Sequence, residues 1–301
     1  CPMRILTLTC LLFAAASGYL VMLVAGRALG PADYPLFATY WGAFFALGGV
    51  ANGLMQEGTR AVRAARSGSE APRGGSPVRL LPAGLLLGLV LAAGVVASWP
   101  AWPALGLPTF SGAGVAIMAA GILGFTLQAA TAGALSGTER WGLYAVLLTV
   151  DAALRLAVAG VAWALGDAGL GFALATVAGA VTWALLVALT PATRAALASA
   201  LDVDARRFWR RTASAMLASA GTAALVVGLP VFVTATVRES DPAPLVGAVI
   251  LAITLTRAPL LVPLTSFQSA IIVYFVERRA RGVRALAVPL AGVAAVGLVG
   301  A

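Results

Sequence analysis

Long apolar stretches recur along the whole chain, and only short polar segments separate them. Each stretch is long enough for a helix that crosses a hydrocarbon core, which takes about 20 residues. The composition agrees, because 61% of the residues are hydrophobic, 10% are charged and the mean hydropathy is +0.97. These values exclude a water-soluble domain. We expect an all-α polytopic membrane protein, since backbone groups in lipid must be satisfied internally.

The apolar pattern predicts eight membrane-spanning helices and the beginning of a ninth. Their expected ranges are 5–25, 35–56, 80–99, 111–135, 142–165, 168–189, 212–237 and 244–276, with the ninth starting near 285. The chain starts with Cys1 and stops at Ala301 inside an apolar stretch. We therefore expect a fragment that is truncated after the start of the ninth helix.

Arginine supplies every basic residue, and the arginines are unevenly distributed. Most lie at the N-terminus or in alternate loops, namely Arg4, 57–79, Arg140, 190–211 and 277–284. The opposite loops hold only Arg27 and Arg238. By the positive-inside rule, this bias predicts a cytoplasmic N-terminus. Because topology accounts for the positive charge, we expect no nucleic-acid partner.

The residue inventory argues against an enzyme. The chain has no His and only two Cys, and it contains no GxSxG or GxxxxGK[ST] motif. Asp202 and Asp204 match the DxD pattern of metal-dependent glycosyltransferases, but no soluble nucleotide-sugar domain surrounds them. A solvated acidic turn is the favoured interpretation of that pattern. We expect no catalytic residue, no metal and no cofactor.

The segment 191–211 divides the chain into two parts. Its sequence, PATRAALASALDVDARRFWRR, predicts an amphipathic helix on the inner membrane face. Arginines, a predicted helix and a short acidic outer loop occur in the same order before and after this segment, with the loops at 30–34 and 239–245. Chance can also produce such a pattern. We expect an N-terminal lobe of six helices over 1–190, a cytoplasmic linker, and a partial C-terminal lobe over 212–301.

Glycines at GxxxG spacing occur in the third and fourth predicted spans. They are Gly84 and Gly88 in one span, and Gly133 and Gly137 in the other. Small residues at this spacing let helices approach closely. Packing within the chain is favoured over dimerisation.

Asp151 and Arg155 interrupt the apolar span at 142–165. They are four residues apart with the acid first, so they share a helix face and are expected to pair. A charge at mid-membrane costs about 2.5–3.5 kcal/mol and needs a partner or a wet cavity. Two compatible interpretations remain: the pair fixes how the helices pack, or it lines a cavity in which Arg155 meets an anion.

Arg257 lies near the middle of the span at 244–276, with no acidic residue three or four positions away. Pro259 and Pro263 follow and are expected to kink the helix. A broken helix with an unpaired cation at membrane depth is typical of a transporter's binding site. We therefore favour a functional role for Arg257 over a structural one.

Four polar residues of the other predicted spans give weaker indications of function than Arg257. Arg27 and Arg60 lie near span ends, where snorkelling of the side chain to the interface is the default expectation. Gln56 and Gln128 are expected to bond a neighbouring helix rather than to line a cavity.

Several stretches of the chain resemble the polysaccharide flippases. SGYLVMLVAGRALGPADYPLFATYWGAFF (17–45) and GLMQEGTRAVR (53–63) resemble their opening helices. GALSGTERWGLYAVLLTVDAALRLAVAG (133–160) is similar to their fourth-to-fifth helix junction, and LTRAPLLVPLTSFQSAI (255–271) to their eighth helix. The Tyr34-Pro35 pair departs from the Tyr-Gly that is usual in this family.

This resemblance implies a MATE-like two-lobe helical bundle of the multidrug/oligosaccharidyl-lipid/polysaccharide exporter superfamily in a bacterial plasma membrane. The implied cargo is a polyprenyl-pyrophosphate-linked oligosaccharide, moved by alternating access for cell-surface polysaccharide biosynthesis. Its implied partners are this lipid-linked glycan, membrane lipids and proteins of glycan biosynthesis. Arginine suits the anionic pyrophosphate. The expected cavity residues are Arg155, Arg257, Asp151, Arg27 and Arg60.

Two other functions remain open. Cation-coupled efflux of drugs or metabolites predicts that acids dominate the cavity. A membrane-embedded glycan ligase or glycosyltransferase predicts a large outer loop with acids or His, and the expected outer loops are short and contain no His.

Overall fold

The structure is a computed structural model that describes residues 2–67, 78–103, 110–167 and 169–236. These ranges form helices and short connections, and they contain no strand. The helices are α1 (Pro2–Arg66), α2 (Leu80–Ser98), α3 (Gly112–Gly137), α4 (Trp141–Leu165), α5 (Leu170–Val177), α6 (Thr182–Leu189), α7 (Pro191–Leu197) and α8 (Ala205–Thr236). The expected all-α fold class is confirmed.

Helix α1 contains the first two predicted spans and reverses direction at Gly30. This residue has φ 66° and ψ −177°, a conformation that glycine adopts far more readily than other residues. A methyl group added at Gly26 would lie 3.6 Å from the Tyr34 ring, and one at Gly18 would lie 3.8 Å from the Trp41 ring. The two halves of α1 therefore pack antiparallel. The chain turns within the acidic loop expected at 30–34, but the turn is shorter than predicted, because both flanks of Gly30 are helical.

The third to sixth predicted spans are confirmed. Four described segments are long and apolar enough to cross a membrane, and they are Leu80–Ala101, Gly112–Gly137, Trp141–Leu165 and Leu170–Leu189. The last one combines α5, a 3₁₀ turn at Ala178–Val181, and α6. The seventh predicted span lies within α8, and the spans predicted after it lie outside the described residues.

The single amphipathic helix expected over 191–211 is wrong. Helix α7 ends at Leu197, and α8 begins only at Ala205. The break has a local cause, since the Asp204 carboxylate accepts a hydrogen bond from the Arg207 N–H at 3.1 Å and caps α8. We call residues 191–204, which precede α8 and include α7, the connector. Its apolar side chains, including Leu201, are buried in the main core instead of facing lipid.

Glycine allows the helix backbones of the bundle to touch. A methyl group at Gly84 would lie 2.9 Å from the Ala130 methyl, so α2 packs directly on α3. Added at Gly133, it would lie 2.9 Å from the Met55 carbonyl oxygen, so α3 packs directly on α1. The expectation that these GxxxG pairs serve packing within the chain is confirmed.

The same kind of contact joins α8 to α1. A methyl group at Gly53 would lie 2.5 Å from the Cα of Met216 and 2.7 Å from the carbonyl carbon of Ala215. One turn earlier, a methyl group at Gly49 would lie 2.9 Å from the Ala223 methyl. We call this α1–α8 contact the seam. It places the first helix after the connector directly against the N-terminal helical unit.

Gly53→Ala is expected to lower the free energy of unfolding by about 1–3 kcal/mol, because the added methyl meets backbone that cannot turn aside. Thermal unfolding of the purified protein in detergent measures this effect. Gly94→Ala in α2 is the matched control, since a methyl group there meets nothing within 4 Å. Equal stability of the two variants would contradict close packing at the seam.

Candidate functional site

Arginines gather at one end of the bundle, which we call the basic end. It comprises the C-terminal end of α1, the N-terminal end of α2, the α3–α4 turn, the connector and the first turns of α8. Its arginines are Arg60, Arg63, Arg66, Arg79, Arg140, Arg194, Arg206, Arg207, Arg210 and Arg211. Hydrogen bonds tie these parts together, since Arg63 binds Glu139 at 2.7 Å and Arg140 donates to the Ala192 carbonyl at 2.5 Å. That this end faces the cytoplasm stays a prediction.

Arg60 is the best-connected cation of the basic end. Its Nε and Nη2 donate to the Glu57 carboxylate at 2.7 and 2.6 Å. Its Nη1 and Nη2 donate to the Asp202 carboxylate at 2.8 and 2.9 Å. Both acids are buried, and Asp202 comes from the connector before α8. We call these three residues the Arg60 cluster, which uses four of the five N–H donors of the guanidinium.

The environment keeps Arg60 charged. Burial alone lowers the pKa of its guanidinium, but the hydrogen bonds and negative charges of Glu57 and Asp202 raise it above its ordinary value. The guanidinium is held by acids within the protein instead of snorkelling. The solvated turn expected around Asp202 is wrong for that residue, because its carboxylate is buried, while Asp204 is exposed.

Amide side chains link neighbouring helices, as expected for both glutamines. Gln56 Nε2 on α1 donates to the Ser219 hydroxyl on α8 at 2.9 Å, which adds a polar contact to the seam. Gln128 Nε2 on α3 donates to the Asp151 carboxylate on α4 at 3.0 Å.

The expected ion pair on α4 is confirmed. Arg155 Nε and Nη2 donate to the two carboxylate oxygens of Asp151 at 3.0 and 2.9 Å. Arg155 is 3% exposed, and its Nη1 donates to the Thr176 carbonyl on α5. Its guanidinium carbon lies 5.0 Å from the Phe45 ring centre and 5.5 Å from that of Phe44, so aromatic faces of α1 cover the charge.

A distortion of the sixth span makes room for this pair. The 3₁₀ turn at Ala178–Val181 interrupts the α-helical hydrogen-bonding ladder just after Thr176, whose carbonyl Arg155 binds. A methyl group at Gly179 would lie 2.7 Å from Arg155 Nε and would overlap the Asp151 carboxylate. Sequence reasoning missed Gly179, and the only signal was a run of small residues, ATVAGA, inside an apolar span.

The expected cavity residues lie at different levels of the bundle. Arg60 is at the basic end, Arg155 is inside the interface of α1, α4 and α5, and Arg27 is exposed near the Gly30 turn. Arg257 lies outside the described residues. The assignment of Arg155, Arg257, Asp151, Arg27 and Arg60 to one cavity therefore stays a prediction. Among the described residues, no group of three His, Cys, Asp or Glu is placed to hold a metal ion.

Solved structures with a similar fold are MATE transporters. One is a MATE protein in the straight conformation, with a TM-score of 0.72, 18% identity, and coverage of 95% of this chain and 67% of that chain. Another is an outward-facing multidrug resistance MATE family transporter of the MOP superfamily, with a TM-score of 0.69, 16% identity, and coverage of 93% and 66%. The chain has the MATE fold, which confirms the expected MATE-like helical bundle.

Relatives in sequence come from mycobacteria. An uncharacterized protein of Mycobacterium tuberculosis strain H37Rv is 40% identical over 288 residues, and a second one from that strain is 39% identical over 287 residues. The matches cover 95% of this chain, and the chain spans 66% of the length of these relatives. No family model matches the chain.

Removing one member of the α4 ion pair is expected to leave the other without its partner, so the losses from the two single variants should not add. Asp151→Asn or Arg155→Met alone should lower the free energy of unfolding by about 3–5 kcal/mol, because the remaining group loses its partner in a buried site. The double variant should lose less than the sum of the two single losses. Thermal unfolding of all four proteins gives the coupling energy, and strictly additive losses would show that the pair is not a structural unit.

Proposed function

We propose that this chain, which shares its fold with MATE transporters, belongs to a flippase of the bacterial plasma membrane. The proposed cargo is a polyprenyl-diphosphate-linked oligosaccharide that the protein carries from the inner to the outer leaflet by alternating access. The fold supports membrane transport, because the similar solved structures are transporters. Two further features of the structure support an anionic cargo and an opening seam, and the sequence predicts a substrate cation, Arg257, in the second lobe.

Charge balance inside the bundle is the observation on which the cargo rests. Three carboxylates of the described residues are not exposed, and each one is bound by an arginine: Glu57 and Asp202 by Arg60, and Asp151 by Arg155. No inward-facing acid in the described ranges is left for a cationic drug. With every inward-facing acid of these ranges already bound, an anionic cargo is favoured over a cationic one, and a diphosphate is an anion that guanidinium groups bind through paired hydrogen bonds.

The seam supports alternating access. It joins the helices of the proposed N-terminal lobe to α8, the first helix after the connector, through Gly49, Gly53 and the Gln56–Ser219 hydrogen bond. These contacts lie toward the basic end, where α1 and α8 touch directly. Transport by alternating access requires the seam to separate at this end so that cargo enters from the predicted cytoplasmic side.

Cation-coupled drug efflux is the second candidate function. It is favoured by one observation, the similarity in fold to a multidrug resistance transporter. That function needs an acid available to the drug or to the coupling cation. Such an acid would have to lie outside the described residues, or Asp151 would have to leave Arg155. A membrane-embedded glycan ligase is not favoured by any feature of the described site.

Transport assays on the intact protein in proteoliposomes separate the two functions. We expect wild-type protein to flip a fluorescent polyprenyl-diphosphate oligosaccharide and to leave a lipophilic cationic dye in place. Arg257→Ala should slow flipping by about tenfold or more, the equivalent of losing one charge-assisted hydrogen bond. Arg206→Ala, at an exposed position of the basic end, serves as the control and should have little effect. Dye efflux without glycan flipping would reject the proposal.

Cross-linking across the seam tests alternating access. In a variant with Cys1 and Cys10 changed to Ser, Gly49→Cys and Ala223→Cys place two thiols within reach of each other, since the corresponding methyl positions are 2.9 Å apart. Oxidation should abolish transport, and a reductant should restore it. Each single-cysteine variant controls for oxidation elsewhere. Full transport by the cross-linked protein would show that the seam does not open.

A further inference from the structure

Arg211 at the basic end has a guanidinium nitrogen with no hydrogen-bond partner among the described residues. It lies near the start of α8, one residue before the fully buried Thr212. Its Nη1 is buried, and no group of the described residues forms a hydrogen bond with it. A buried guanidinium nitrogen without an acceptor is costly, so it calls for an explanation.

The Arg60 cluster explains why Arg211 has no carboxylate. Glu57 and Asp202 are close enough to Arg211 to act on its charge, but both are bound by Arg60 through four hydrogen bonds. Arg60 and Arg207 act on Arg211 as well, with the opposite sign. Burial, followed by the repulsion from Arg60 and Arg207, lowers the pKa of Arg211.

The position of Arg211 fits a ligand that arrives at the membrane surface. Arg211 precedes Ala215 by four residues and Met216 by five. It therefore lies just before the part of α8 that packs against the backbone of α1 at Gly53. The Arg60 cluster, whose members act on the charge of Arg211, includes Asp202 from the connector. An anion at Arg211 would therefore lie where α1, the connector and α8 meet.

We infer that Arg211 is the centre of a binding site for the diphosphate headgroup of a lipid at the basic end, beside the seam. Phosphate oxygens would accept the hydrogen bonds that Nη1 does not make, and the ligand's negative charge would offset the repulsion that Arg60 and Arg207 exert on Arg211. Arg60 is not the primary contact in this conformation, because its donors already bind carboxylates. The inference rests on the proposed function only in its choice of a diphosphate as the headgroup.

Binding to the intact protein, purified in a neutral detergent, tests the site without any transport step. The probe is farnesyl diphosphate, a water-soluble polyprenyl diphosphate, and isothermal titration calorimetry measures its affinity. Arg211→Gln should weaken binding about tenfold or more, the effect of losing a hydrogen bond to a charged group. Arg210→Gln is the matched control, because Arg210 is the preceding residue and is exposed. It should change the affinity less than threefold, by our estimate for an exposed charge.

Stability provides a second readout. If Arg211 only stabilised the fold, its removal should lower the unfolding temperature. Arg211 lacks a partner for Nη1, so Arg211→Gln should leave the unfolding temperature of the ligand-free protein unchanged or raised. Loss of binding together with a lower unfolding temperature would overturn the site, because a structural role would then explain both.

Three other results would overturn the inference. Equal affinity of wild-type and Arg211→Gln protein would show that water alone solvates Nη1. An equal loss in Arg210→Gln would indicate a diffuse basic surface instead of a site. Equal binding of inorganic pyrophosphate or of phosphatidylglycerol would reject a lipid diphosphate as the specific ligand. Normal binding without flipping in proteoliposomes would leave the site intact and reject the flippase function.

Discussion

Direct contact between helix backbones is the interaction on which the rest of the structure depends. In lipid, apolar side chains gain little by leaving one apolar surface for another, so helices associate mainly through close packing and interhelical hydrogen bonds. Gly133 brings α3 to the backbone of α1, and Gly53 brings α1 to the backbone of α8. With the backbones this close, short polar side chains such as Ser219 reach across the interface. The positions of the buried charges follow from these contacts.

Two arginines hold helices together at different places in the bundle, and we call each of them an anchor. Arg155 joins three helices of the N-terminal unit, since it binds Asp151 on its own helix, a carbonyl of α5 and the aromatic faces of α1. Arg60 instead joins α1 to the connector through Asp202. The first anchor lies within one predicted lobe, whereas the second lies at the junction with the next one. A motion between lobes would leave the contacts of Arg155 intact and would strain the hydrogen bonds between Arg60 and Asp202.

Much of this fold is readable from local patterns. Apolar length was sufficient for the spans from α2 to α6, and spacing along one helix was sufficient for the Asp151–Arg155 pair. The features that were missed depend on contacts distant in sequence. The amphipathic pattern around Leu201 did not distinguish a lipid surface from a protein core, and nothing near Asp202 indicated Arg60, 142 positions away. The MATE fold itself followed from a resemblance of whole stretches, not from periodicity.

The fit of Gly179 against the ion pair restricts how this protein can vary during evolution. Any side chain at position 179 would overlap the Asp151 carboxylate and crowd Arg155. A larger residue there requires the two charged side chains to move, so it is tolerated more easily in a chain that has lost the pair. The three positions are therefore expected to change together among relatives. An alanine at this position beside an intact pair would mark a relative in which the pair or the 3₁₀ turn is placed differently.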